Sequence, residues 1–254
     1  MVQLNKESQN SNSKHLFSGK FVINRYGKSL RFPLVIVNFK AYEEAIGDNA
    51  LKLAKICAQA LKSHKIGIAA AVQSTDIFRL SKKVKLPVFA QHFDTINPGH
   101  FTGSLPIESI VSAGACGSLI NHSEHPMPFV SIKLAVEKSK SAGIFSVVCV
   151  PSLSVLKRVL AIKPDIVALE FPELIASKIS ISEEAPDIIR KAALLCDKHG
   201  IPFLCGGGVH SIRDARKAIE EKSDGVLISS GIVKARNPLL ALENICRGIE
   251  EGLG

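Results

Sequence analysis

From Leu34 onward the chain alternates, over about 220 residues, between short apolar runs rich in β-branched residues and longer amphipathic stretches. The apolar runs are Leu34 to Asn38, Ile66 to Val72, Val88 to Gln91, Ser118 to Asn121, Phe145 to Cys149, Ile166 to Glu170, Phe203 to Cys205 and Val226 to Ser229. A helical pattern follows nearly every one. Ala50, Leu53, Ala54, Cys57 and Leu61 recur on one face of a helix, as do Ile188, Ala192 and Leu195 further on. Start signals agree with this reading: Ser211 and Asp214 have the spacing of a capping box, and Asn237-Pro238 places a cap before a proline of the first helical turn. Eight such βα units with no Gly-x-Gly-x-x-Gly fingerprint predict an α/β protein built as one closed (βα)₈ barrel over residues 32–254, rather than a doubly wound sheet.

In that architecture chemistry sits where strands run into the following loops, so polar residues at the ends of apolar runs become the candidates. Asn38 and Lys40 are two positions apart and, on an extended strand end, share a face from which an amide and an ammonium can meet anionic oxygens. His122 follows the fourth run; a helical turn starting at Ser123 and Glu124 would keep its imidazole neutral and able to donate to a carbonyl. Glu124 is placed to pair with Lys40 across the mouth. Glu170 closes the sixth run where another aliphatic is expected, and a poorly solvated carboxylate there would act as a base. Gly206-Gly207-Gly208 and Ser229-Ser230-Gly231 follow the seventh and eighth runs, where small residues let backbone N–H groups approach a phosphate. Taken singly, each has a plainer reading: Lys40 as a surface lysine, His122 as a structural hydrogen-bonding residue, Glu170 as a loop-starting glutamate beside Glu173, and the glycines as a turn.

Composition narrows the function classes. The formal charge of +9 is concentrated at the front: residues 1–31 hold six lysines and arginines against Glu7, five of the nine net charges. The excess is therefore largely a tail property, and the body lacks the interleaved aromatics of a nucleic-acid platform. Residues 1–31 read as a flexible basic extension with Phe21 to Ile23 as a short strand, and removal of residues 1–28 is expected to leave fold and activity nearly unchanged. No run is long enough to span a membrane, no secretory signal opens the chain, and the six scattered cysteines form no CxxC pair, which together predict a cytoplasmic protein with reduced thiols. His92, His100, His122 and His125 lack metal-ligand spacing, so no metal site is expected.

With those pieces placed, residues 34–254 resemble the triosephosphate isomerase family, in its compact archaeal-type branch. The resemblance runs through Asn38-Phe39-Lys40, Ala90-Gln91-His92, Pro98-Gly99, Thr102-Gly103, Asn121-His122-Ser123-Glu124, Glu170, Pro172-Glu173-Leu174-Ile175, Cys205-Gly206 and Ser230-Gly231. It implies a TIM barrel that interconverts dihydroxyacetone phosphate and glyceraldehyde 3-phosphate through an enediolate, a step of glycolysis and gluconeogenesis that needs no cofactor. Glu170 would shuttle the proton, His122 polarise the carbonyl and Lys40 offset negative charge, while Asn38, Ile175, Gly208, Ser229 and Ser230 lie at the substrate. A homodimer or homotetramer is implied, with a small phosphorylated sugar as the other partner. Two local departures stand out: Ala176-Ser177-Lys178 occupies the place of the family's Gly-Thr-Gly lid, which predicts poorer closure, and His125-Pro126 replaces the usual basic pair after Ser-Glu. The rival readings are another phosphate-handling barrel enzyme and a non-catalytic sugar-phosphate binder.

Overall fold

The computed structural model describes residues 19–24, 27–170 and 185–254. Among them, eight parallel strands close into a barrel: β3 (Leu34–Asn38), β4 (Gly67–Val72), β5 (Val88–Ala90), β6 (Gly117–Ile120), β7 (Phe145–Val150), β8 (Ile166–Glu170), β9 (Phe203–Gly206) and β10 (Gly225–Ile228), with β10 pairing back onto β3. Each predicted run is found, shifted by a residue or so at its ends. The helices between them are α1 (Asp48–Ser63), α2 (Ser74–Lys83), α3 (Ile107–Ser112), α4 (Phe129–Ala142), α5 (Leu153–Leu160), α6 (Pro186–His199), α7 (Ile212–Glu220), a short α8 (Ser230–Val233) and α9 (Pro238–Gly252).

The helices pack their apolar faces onto the outside of the sheet. On α1 the buried residues are Ala50, Leu53, Ala54, Cys57 and Ala60. On α6 they are Ile189, Ala192, Ala193 and Cys196; of the expected Ile188, Ala192 and Leu195 only Ala192 is fully buried, while Ile188 and Leu195 sit at the margin of a stripe turned by one position. The Ser211–Asp214 capping box at α7 and the Asn237 cap at α9 are both formed.

Because side chains alternate along a strand, every second residue points into the barrel. Leu34, Ile36, Ala69, Ala71, Phe89, Leu119, Phe145, Val147, Cys149, Ile166, Ala168, Leu204 and Leu227 form that inner core. The extension supplies its floor. β1 (Phe21–Ile23) pairs antiparallel with β2 (Ser29–Arg31), a strand the sequence pattern does not announce. Val22 and Leu30 from this hairpin, and Phe32 after it, are buried in the inner cluster, while Asn24 reaches across to donate to the Gly143 carbonyl at 3.0 Å. This packing argues against the expectation that residues 1–28 can be removed without effect on the fold. Among the described residues no helix is long and apolar enough to cross a membrane.

Candidate active site

The next inward position above the apolar layer is polar on several strands at once. Asn38 follows Leu34 and Ile36, Gln91 follows Phe89, Glu170 follows Ile166 and Ala168, and Ser229 follows Leu227. They meet at the carboxyl end of the barrel. Asn38, Lys40, His122, Glu170, Gly207, Gly208, Ser229 and Ser230 line one small cavity, and Asn38, Lys40, His122 and Glu124 also border a larger neighbouring one of about 380 Å³.

Glu170 is 6 % exposed and its Oε1 stands 3.4 Å from His122 Nε2. Its Oε2 is out of water and has no hydrogen-bond partner among the described residues. Cys149 lies beside it: burial pushes this thiol well above its ordinary pKa and the Glu170 carboxylate adds to the shift, so the neighbour of the base is a neutral thiol. Gly206 lies against the other side of the carboxylate, since a Cβ added there would come 2.6 Å from Glu170 Cγ.

His122 is also buried, and its Nδ1 accepts the backbone N–H of Glu124 at 3.1 Å. A ring nitrogen that accepts carries no proton, so in this arrangement the imidazole is neutral with its N–H on Nε2, facing Glu170. The expected helical turn is absent. Residues 123–125 form a turn in which His125 N–H donates to the His122 carbonyl at 2.8 Å, and α4 begins only at Phe129. Pro126 and Pro128 explain the delay, because neither has an N–H to give to a helix. The orienting donor is thus one turn amide rather than a helix dipole. Asn121, at φ +60°, pins this turn by donating to the Cys149 carbonyl and accepting from Met127 N–H.

Lys40 reaches the mouth by a different route from the one expected. The strand ends at Asn38, and Lys40 has φ +48°, outside the extended region. Three groups hold it there: its N–H donates to Asn38 Oδ1 at 3.0 Å, and its carbonyl accepts from Gln73 Nε2 at 3.0 Å and Gln91 Nε2 at 2.9 Å. Gln91 Nε2 also reaches Asn38 Oδ1, and Gln73 donates to Gln91 Oε1, so both amides belong to one network. The ammonium pairs with Glu124 Oε1 at 2.7 Å, as the sequence predicts. The sequence reading assigned no role to Gln73 or Gln91, although Gln91 lies in the Ala90-Gln91-His92 segment.

On the opposite wall Gly207 and Gly208 have φ of +87° and +73°, conformations that cost other residues energy. Gly206 and Gly231 do not line the cavity but stand behind it. Ser229 Oγ is buried without a partner among the described residues. Ile175 and the Ala176-Ser177-Lys178 segment lie outside the described residues. Among those described, no group of three or more histidine, cysteine, aspartate or glutamate side chains is placed to hold a metal.

This geometry is matched by sequence comparison. The family model for triosephosphate isomerase aligns with residues 33–248. The chain belongs to the triosephosphate isomerase family. Among curated relatives, triosephosphate isomerase of Methanobrevibacter smithii is 42 % identical over 213 residues, covering 83 % of this chain and 96 % of the relative. That of Methanothermus fervidus is 39 % identical over 215 residues, covering 84 % and 97 %. In fold, the solved triosephosphate isomerase of Bartonella henselae superimposes with a TM-score of 0.70 over 86 % of this chain and 99 % of its own, at 19 % identity. The β1–β2 hairpin precedes the first residue that the family model matches.

Proposed function

We propose that the chain interconverts dihydroxyacetone phosphate and D-glyceraldehyde 3-phosphate, with Glu170 as the base. The observation that carries this is the buried Glu170–His122 pair, a carboxylate oxygen and a neutral N–H donor 3.4 Å apart beneath the mouth, with the Lys40 ammonium lining the same cavity. The reaction is redox-neutral: Glu170 takes a proton from the carbon next to the carbonyl, the electron pair moves to the carbonyl oxygen, the hydroxyl proton passes from its oxygen to that one, and the proton on Glu170 returns to the other carbon as the new carbonyl forms. His122 Nε2–H donates to that oxygen as charge builds on it, and Lys40 with Asn38 offsets the enediolate's negative charge. Gly207, Gly208, Ser229 and Ser230 hold the phosphate away from the reacting carbons, with Gly206 and Gly231 supporting this wall, and the family resemblance adds Ile175 as a substrate-binding residue. We further place the enzyme in the cytoplasm, as its six cysteines are all free and five are buried, and propose a homodimer or homotetramer. Exposed apolar groups such as Phe101 (50 %) and Val130 (77 %) support that assembly.

The test is a coupled isomerase assay on the purified chain and on Glu170→Gln. Loss of a positioned base should lower kcat on the order of a hundredfold or more and leave affinity for 2-phosphoglycolate largely intact, because the phosphate is held elsewhere. Parent protein that binds 2-phosphoglycolate without isomerising triose phosphates above the free-solution rate would refute the reading.

A further inference from the structure

The loops assigned to the phosphate offer only uncharged groups in Gly207, Gly208, Ser229 and Ser230. One further residue stands in the same wall. His210 lines the cavity with these four, opposite Lys40, His122 and Glu170. Two contacts set its place. Its backbone N–H donates to Asp214 Oδ2 at 2.9 Å, so the loop after β9 is tied to the first turn of α7 just where His210 projects. Its ring lies on Gly231: a Cβ added at that residue would come 2.9 Å from His210 Nδ1 and 3.1 Å from the Val209 carbonyl oxygen. Glycine at 231 is what allows the imidazole to lie against the turn that carries Ser229 and Ser230. The ring thus bridges the two segments whose backbone would hold the anion.

We propose that His210 binds the phosphate group of the substrate by donating an imidazole N–H to it. A phosphate monoester carries close to two negative charges near neutral pH, and imidazole donates an N–H in either protonation state. Asp214 Oδ2 accepts the backbone N–H groups of both His210 and Ser211 at 2.9 Å, which fixes the loop that presents the ring. The identity of the substrate rests on the isomerase reading above; the anion contact does not.

Sulfate separates the two, being a tetrahedral dianion that does not titrate near neutrality. Its Kd is measured by calorimetry on the parent, His210→Gln and His210→Ala, with KM and kcat for glyceraldehyde 3-phosphate alongside and a thermal melt to confirm folding. Removing one hydrogen bond to a charged group should raise both the sulfate Kd and KM about tenfold, with kcat within about twofold. His210→Arg, which supplies an N–H donor at the same place, should recover most of the sulfate affinity. Unchanged sulfate affinity in folded Gln and Ala variants, or a fall in kcat with KM unchanged, overturns the proposal. A parent that binds sulfate without turning over substrate overturns the isomerase reading, and the sulfate arm then decides on His210 alone.

Discussion

Gly206→Ala tests whether the base is positioned by the strand beside it. The backbone at Gly206 is not in the left-handed region, so alanine fits the chain conformation and the perturbation is steric. The new Cβ would lie 2.6 Å from Glu170 Cγ, 3.2 Å from the Leu169 carbonyl oxygen and 3.4 Å from Glu170 Cδ. Carbon atoms in contact sit about 3.5 to 4.0 Å apart, so the Glu170 side chain must retreat by about 1 Å. It cannot do so freely, because the neutral Cys149 and His122 bound it on other sides. A displacement of that size at a reacting group costs about a hundredfold in rate, or about 2.7 kcal/mol of barrier. Overpacking also lowers stability by about 1 to 3 kcal/mol, which a thermal melt separates from the kinetic effect. The assay is kcat and KM of Gly206→Ala beside Glu170→Gln and the double variant. Since the loss passes through the carboxylate, adding Gly206→Ala to Glu170→Gln should cost less than threefold further. A folded Gly206→Ala protein with kcat within threefold of the parent, or full additivity in the double variant, would refute this account of how the base is held.

Three other outcomes follow from the geometry. Gln91→Leu removes the donor shared by the Lys40 carbonyl and Asn38 Oδ1, so Lys40 should leave its φ of +48°, a conformation that costs about 1 to 3 kcal/mol, and kcat/KM should fall about tenfold; an unchanged kcat/KM would show that the amide network does not hold the lysine. Deleting residues 1–31 strips Val22 and Leu30 from the barrel floor, and at about 1.5 to 3 kcal/mol for each buried side chain Tm should drop on the order of 10 °C, with kcat of the surviving folded protein within twofold because the floor is remote from the mouth; an unchanged melt would contradict the packing argument. Burial, and then the neighbouring His125 ring 3.9 Å away, lower the pKa of His92, so the folded state binds this proton less readily than the unfolded chain; stability should be complete above the ordinary imidazole value of about 6.5 and decline as pH falls through it, and His92→Gln should flatten that part of the Tm profile between pH 7.5 and 5.5.

The fold was legible because two periods seldom confuse each other in this chain. Runs such as Leu34 to Asn38 and Ile166 to Glu170 are apolar on both faces, as a sheet covered by helices requires, and the boundaries found differ by a residue or so. The hairpin was harder to read. β1 and β2 are three residues each, their single buried positions Val22 and Leu30 make no pattern, and the contact that matters is with the barrel floor rather than with sequence neighbours. The buried stripe of α6 was misplaced by one position because Ile188, Ile189, Leu194 and Leu195 give two overlapping apolar stripes, and only packing chooses between them.

The candidate site divides along the same line. Continuing each strand's inward alternation by one step beyond the apolar layer reaches Asn38, Gln73, Gln91, Glu170 and Ser229 at the mouth, and Gly206 just behind it. Gln73 and Gln91 obey this rule as well as Glu170 does; they went unassigned because an amide suggests no step of chemistry, and their work is to hold another residue's backbone. The rule has no reach over Lys40, His122 and His210, which project from turns where alternation has ended. Each is placed by a local device: the amide clamp on the Lys40 carbonyl, the Glu124 N–H on His122 Nδ1, and the Asp214 carboxylate on His210 N–H. A strand register can therefore locate a barrel's reactive end and its base, whereas the groups that meet the substrate's charge depend on turn geometry. That geometry is set by prolines and side-chain caps several residues away, and so departures such as His125-Pro126 bear on chemistry more than their distance from Glu170 in the chain implies.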